Sequence, residues 1–294
     1  MQVHQIRSIF VILLICCACL SGCAGLSKGN NPRLHAESLA QKKNFFPTLV
    51  KTKSFNLTTY SNVERKIDKP LTVYIEGDGH AWESRYQIST DPSPYNPMGL
   101  KLALLDPNPN VVYLARPCQY TPHSLDPLCH PKYWTDARFS ETVIASMNDA
   151  IQQLKQKTKT KKVHLVGFSG GAAVAVLIAA RRNDVTHLIT VAGDLDHEAM
   201  SQFHKTTPIA DSLNPIKVAS KITHIPQHHY IGDKDPIVPT FISDSFVKEI
   251  MQSKEGLKNK DHNHNHIQRT VLKNVTHHEG WEAFFAKAHD KPFL

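Results

Sequence analysis

The sequence is sparing with charge, with long apolar runs and, past its first two dozen residues, with cysteine. Charged residues make up 20% of the chain, too few for a charge-rich disordered polymer. Ile9 to Leu20 is nearly all apolar but too short to cross a bilayer comfortably. No internal repeat is visible, which excludes a solenoid. The formal net charge is +8, yet its positives are scattered apart from one run at Lys155, Lys157, Lys159, Lys161 and Lys162. That run reads as the solvated end of a helix plus a loop. No basic stripe with aromatic platforms accompanies it, so nothing speaks for a nucleic-acid partner. What is present is 294 residues of which 41% are hydrophobic, enough for one sizeable domain with a buried core.

The first residues have the order of a targeting segment: Arg7, then the apolar core Ile9 to Leu20, then Leu20-Ser21-Gly22-Cys23. Small residues before a cysteine at this place resemble the bacterial lipoprotein processing site. The resemblance implies cleavage before Cys23, diacylation of Cys23 and a membrane anchor. Ala24 rather than Asp follows, which in Gram-negative bacteria usually permits transfer to the outer membrane. An ordinary signal peptide with an incidental cysteine is the alternative. The division expected is a signal peptide over 1–22, a lipidated N-terminus and tether over 23–50, with Asn30 to Asn44 as its polar part, and a folded domain over 51–294. Cys16, Cys17 and Cys19 leave with the signal, so only Cys118 and Cys129 remain. An even pair in an oxidising compartment points to one disulfide closing the turn-rich loop Gln119 to Leu128; two independent buried thiols are the alternative.

Strand-like and helix-like segments alternate from Leu71 onward, the pattern of an α/β sandwich with a mostly parallel sheet. Strands are expected at Leu71–Ile75, Val111–Ala115, Val163–Val166, His187–Val191, His228–Ile231 and Gln268–Val275. Helices are expected over Phe139–Lys155, Gly170–Arg182, about Thr240–Gln252 and Glu279–His289. Asp91–Pro97 and Pro117–Pro131 are Pro-rich loops after strands, where such folds keep their ligand crevice.

Gly167-Phe168-Ser169-Gly170-Gly171 matches the Gly-x-Ser-x-Gly nucleophile elbow, and a strand before it with a small-residue helix after it supplies the context the motif needs. The turn is so tight that side chains at its two outer positions would strike neighbouring backbone, which glycine avoids. A serine needs a base, and the base an orienting acid. Gly232-Asp233-Lys234-Asp235-Pro236-Ile237-Val238-Pro239 follows a late strand and offers Asp235, with Asp233 the adjacent rival and Asp194 a further one. Val275-Thr276-His277-His278-Glu279-Gly280-Trp281 offers His277, with His278 beside it. The oxyanion hole is expected from the N–H of Gly170 and the N–H of Asp78, in Glu76-Gly77-Asp78-Gly79 after an early strand. Two carboxylates stand there where many lipases and esterases have His-Gly-Gly-Gly. An ionised Asp78 or Glu76 aimed at the oxyanion would oppose catalysis, so each must point away, bind a polar substrate group or hold the loop.

Together these pieces resemble the α/β-hydrolase superfamily over roughly Leu71 to Pro292. Gly-x-x-Asp-x-x-Val-Pro is similar to its acid loop and His-x-x-Gly-Trp to its ending, which implies Asp235 as acid and His277 as base. Tyr74-Ile75-Glu76-Gly77-Asp78-Gly79, Arg116-Pro117-Cys118-Gln119-Tyr120, Trp134-Thr135-x-x-Arg138-Phe139-Ser140 and Ala192-Gly193-Asp194-Leu195-Asp196 also resemble uncharacterised proteobacterial hydrolases. The likeness implies an α/β-hydrolase fold with helices on both faces, and a serine hydrolase acting on a small-molecule or lipid-like acyl ester. Thioester or peptide hydrolysis on the same fold, or a non-catalytic envelope lipoprotein, are the other readings. No metal or organic cofactor is implied. Asp261-His262-Asn263-His264-Asn265-His266 reads as a variable loop, Arg116, Arg138 and Trp134 as packing and ion-pairing groups, and His228-His229 as structural.

Overall fold

A computed structural model describes residues 31–63, 66–253 and 266–287. In chain order the strands are β1 (Phe46–Lys51), β2 (Asn56–Val63), β3 (Leu71–Ile75), β4 (Trp82–Ser84), β5 (Gln87–Ile88), β6 (Asn110–Leu114), β7 (Val163–Phe168), β8 (Val185–Val191), β9 (Gln227–Gly232) and β10 (Ile267–Leu272). The helices are α1 (Pro32–Gln41), α2 (Met98–Ala103), α3 (Glu141–Thr158), α4 (Gly170–Ala179), α5 (His197–His204), α6 (Thr240–Gln252) and α7 (Trp281–Lys287). β4 and β5 form a small separate hairpin, and the other eight strands lie in one sheet in the order β1-β2-β6-β3-β7-β8-β9-β10. β1, β2 and β6 pair antiparallel, and from β6 to β10 every pairing is parallel.

The central strands β3, β6 and β7 are buried along their whole length and mostly apolar, because both of their faces are covered. Side chains alternate along β3: Leu71, Val73 and Ile75 join one core with α3, α4 and α6, while Tyr74 joins the other with α1, α2 and α7. β6 divides in the same way, Val112 and Leu114 against Val111 and Tyr113. All ten residues of α4 are buried, which explains a helix without a polar face.

The stretch expected to be a polar tether is folded from Pro32 onward. α1 is capped by the Asn31 side chain on the Leu34 N–H and buries Ala36 and Ala40, and β1 then pairs with β2. Its contact residues are alanines, too small to stand out from a polar background. The same smallness of signal hid the six-residue α2 and the short α5. The last strand ends at Leu272 rather than Val275, because the chain turns there to bring residues 274–277 against the loop after β9. The signal segment, Cys23 and residues 261–265 of the histidine-rich stretch lie outside the described residues; His266 bonds the Thr223 carbonyl at 2.8 Å. Cys118 and Cys129 are joined by a disulfide with a Cα separation of 5.5 Å. Among the described residues no helix is long and apolar enough to cross a membrane.

Candidate active site

Ser169 sits between β7 and α4 with φ 52° and ψ −122°, a strained conformation for a residue with a side chain. The neighbouring chain compels it. A Cβ on Gly171 would lie 2.3 Å from the Ile75 carbonyl oxygen, and one on Gly167 2.4 Å from the Gly171 carbonyl oxygen. The turn is thus wedged under the end of β3. The Ser169 N–H donates to the Val191 carbonyl at 2.9 Å, tying the elbow to β8.

His277 Nε2 lies 3.0 Å from Ser169 Oγ, and His277 Nδ1 lies 2.8 Å from Asp235 Oδ2. With Nδ1–H donating to Asp235, Nε2 is left to accept from the serine hydroxyl. The other oxygen of Asp235 accepts the N–H groups of Ile237 and Val238, each at 2.8 Å, so the acid is anchored by its own turn. Histidine and acid are both buried. His277 is steadied further by the ring of Phe168, centroid to centroid 5.1 Å, and its carbonyl accepts the Trp281 indole N–H at 3.0 Å. That bond gives the His-x-x-Gly-Trp spacing a physical meaning: the tryptophan clamps the histidine's backbone.

The rivals lie elsewhere. Asp233 is exposed and accepts the Asn274 N–H at 2.7 Å. Asp194 is buried beneath the elbow, where its N–H donates to the Ser169 carbonyl at 3.1 Å, and burial pushes its carboxyl up to about 7 against the pull of Arg138. His278 is exposed, edge-on to His277 at 4.8 Å.

The two carboxylates after β3 do different things. Glu76 is buried and accepts from the N–H groups of Gly77 at 2.9 Å, Gly99 at 3.1 Å and Leu100 at 3.4 Å, so it holds the start of α2. Burial pushes its carboxyl up while these bonds pull it down. Asp78 pairs with Arg116 Nη1 at 3.1 Å and with Arg138 Nε at 3.0 Å. Its carboxylate also lies against Gly170, where a Cβ would be 2.0 Å from Asp78 Oδ1.

Above Ser169 a cavity of about 410 Å³ is lined by Gly77, Asp78, His80, Pro94, Tyr95, Asn96, Phe168, Ile237, His277 and His278 among others. Asn96, Tyr95 and His80 carry no motif of their own; in the sequence the Pro-rich loop 91–97 marks the place of the first two, and His80 directly follows Glu76-Gly77-Asp78-Gly79. Trp134 is buried and donates to the Ser89 carbonyl at 3.1 Å. His229 bonds Thr190 at 2.8 Å deep inside the sheet, and half-buried His228 bonds Thr270 of β10 at 2.8 Å nearer its edge. Among the described residues no group of three His, Cys, Asp or Glu side chains could hold a metal ion.

Residues 104–268, more than half of the chain, match the family model described as serine hydrolase (FSH1). The chain belongs to the FSH1 serine hydrolase family. The matched span carries Ser169 and Asp235, while His277 and the loop after β3 lie outside it. No curated protein matches this serine hydrolase. Its fold is similar to the esterase Pf2001 of Pyrococcus furiosus, at 15% identity and TM-score 0.57 over 85% of this chain and 91% of that one. It is similar also to Est1E from Butyrivibrio proteoclasticus, at 14% identity and TM-score 0.56 over 82% and 95% of the two chains. An alpha-beta serine hydrolase homologue from Coxiella burnetii is a third, at 15% identity and TM-score 0.52 over 82% and 96%. At such identities these likenesses establish the α/β-hydrolase fold.

Proposed function

We propose that this serine hydrolase cleaves a carboxylic ester of a small or lipid-like acyl group, with Ser169 as nucleophile, His277 as general base and Asp235 as the acid that orients it. One observation carries the reading: the unbroken chain of contacts from Asp235 through His277 to Ser169, at 2.8 and 3.0 Å, opening on the cavity. His277 takes the serine proton as Oγ attacks the ester carbonyl. The oxyanion is met by the N–H groups of Gly170 and Asp78. His277 then gives its proton to the leaving alcohol; in the second half it takes a proton from water as that water attacks the acyl-enzyme, and returns it to Ser169 Oγ as the acid departs. Tyr95, Pro94, Phe168 and Ile237 offer the acyl group an apolar wall.

A fluorophosphonate probe should label the wild type and not Ser169→Ala. The same substitution should lower kcat on p-nitrophenyl esters by about 10⁴- to 10⁶-fold. Retained hydrolysis would overturn the assignment. A series of these esters of graded chain length will define the acyl group.

The proposal extends to place. Arg7, the apolar run Ile9 to Leu20 and Leu20-Ser21-Gly22-Cys23 support processing to a diacylated Cys23, and Ala24 supports an outer-membrane position facing the periplasm. Radiolabelled palmitate should enter the wild type and not Cys23→Ser; equal incorporation would overturn the anchor.

A further inference from the structure

The peptide between Gly77 and Asp78 carries one of the two N–H groups assigned to the oxyanion hole. Across a trans peptide the C=O and N–H point in opposite directions, so whatever holds the Gly77 carbonyl also aims the Asp78 N–H. Gln119 holds it: its Nε2 donates to the Gly77 carbonyl at 2.9 Å. The amide cannot turn over without loss, because its Oε1 accepts the Arg116 N–H at 3.0 Å and the side chain is buried. The N–H on the near side of Gly77 is occupied by Glu76 Oε1 at 2.9 Å. By contrast, no described residue accepts from the N–H of Asp78 or of Gly170.

The Asp78 side chain is held as firmly. Arg116 pairs with its Oδ1 at 3.1 Å and Arg138 with its Oδ2 at 3.0 Å. Both guanidiniums rest on the ring of Phe139, 5.1 and 5.2 Å from its centroid, and Arg116 also donates to the Arg138 carbonyl. A carboxylate this close to Gly170 would raise the energy of a developing anion unless its charge were met and turned aside.

We propose that Gln119, Arg116 and Arg138 are positioning residues of the oxyanion hole: Gln119 sets the direction of the Gly77–Asp78 peptide, and the two arginines hold the Asp78 carboxylate away from the reacting carbonyl. The inference rests on Ser169 being the nucleophile.

Gln119→Glu tests the first part, since a carboxylate still accepts from Arg116 but has no hydrogen to give Gly77. Sites are counted by fluorophosphonate titration and kinetics measured on p-nitrophenyl butyrate. Per titrated site kcat should fall about 10²-fold, the scale of a misplaced catalytic group, with KM within threefold of wild type. Affinity for butylboronic acid, whose adduct with serine is tetrahedral and anionic, should fall in parallel. A residue that only supports the fold would change the number of titrated sites and leave these two ratios alone. Arg138→Gln tests the second part: kcat should fall at least tenfold, and Asp78→Asn added to it should restore most of the loss by removing the unmet charge. Unchanged kcat per site in both single variants, a loss without weaker boronate affinity, or a double variant no better than Arg138→Gln would each overturn the proposal. Undiminished labelling of Ser169→Ala would instead overturn the nucleophile assignment, and the present inference with it.

Discussion

Position 170 admits only a hydrogen where other residues carry a side chain, since Asp78 Oδ1 fills the space a Cβ would need. Gly170→Ala must therefore push the carboxylate toward the hole or off its arginines, and kcat should fall about 10²-fold while α4 keeps its helicity. Activity near wild type would show that Asp78 moves aside freely. The two adjacent histidines offer a second comparison. His277→Ala should cost several orders of magnitude in kcat and His278→Ala little more than tenfold, because only His277 reaches both Ser169 and Asp235. Reversed costs would move the base to His278. These residues were legible in the sequence for a common reason. A nucleophile elbow, an acid turn and a histidine after the last strand each leave a local pattern, since the local backbone creates their geometry. Gln119, Arg116 and Arg138 lie in segments that stand out in the sequence, and the arginines read there as packing and ion-pairing groups, but nothing local ties them to the Gly77–Asp78 peptide. Their meaning depends on β6 lying beside β3, a neighbour relation between strands separated by a helix, a hairpin and two loops.

At the level of elements, the carboxylate of Glu76 is the cap that α2 lacks in its own sequence, since Pro97 at its start offers no side-chain oxygen. Glu76→Ala should lower stability by about 2–5 kcal/mol by orphaning buried N–H groups, read as a shift of the urea midpoint. No shift would show that water replaces the carboxylate. The pairing of β8 with β9 makes a pH prediction. His229 is fully buried against Thr190, and burial holds its imidazole down at about 3, from an ordinary 6.5. The native state keeps this ring neutral while the unfolded chain takes up a proton below 6.5. The stabilisation is complete above 6.5 and is lost as pH falls from there toward 3, at a slope approaching about 1.4 kcal/mol per pH unit. His229→Gln should flatten the fall of Tm over that window, and an unchanged slope would assign the acid sensitivity to other groups. The elements themselves were read from periodicity where they are long and apolar, as in α3 and β7. They were missed where burial is achieved by alanine, as in α1, or within a single turn and a half of helix, as in α2.

Across the whole molecule, the contact from Ser169 to His277 spans 108 residues, and the two ends of it stand in unlike places. β7 is flanked on both sides by parallel strands and covered on both faces, whereas β10 is, among the described residues, the edge strand of the sheet, paired to β9 and exposed at Gln268, Arg269 and Val271. The serine is built into the centre and the histidine hangs from the rim. Rims open locally at a lower free-energy cost than centres. Brief fraying of β10 and the segment after it would withdraw His277, the base proposed above, and leave the rest of the sheet standing. Warming should accordingly silence the enzyme, followed as loss of fluorophosphonate labelling, several degrees before circular dichroism reports the collapse of the sheet, and cooling from that interval should restore it. The protein would then carry its own thermal fuse, set by how tightly Trp281 grips a single backbone carbonyl.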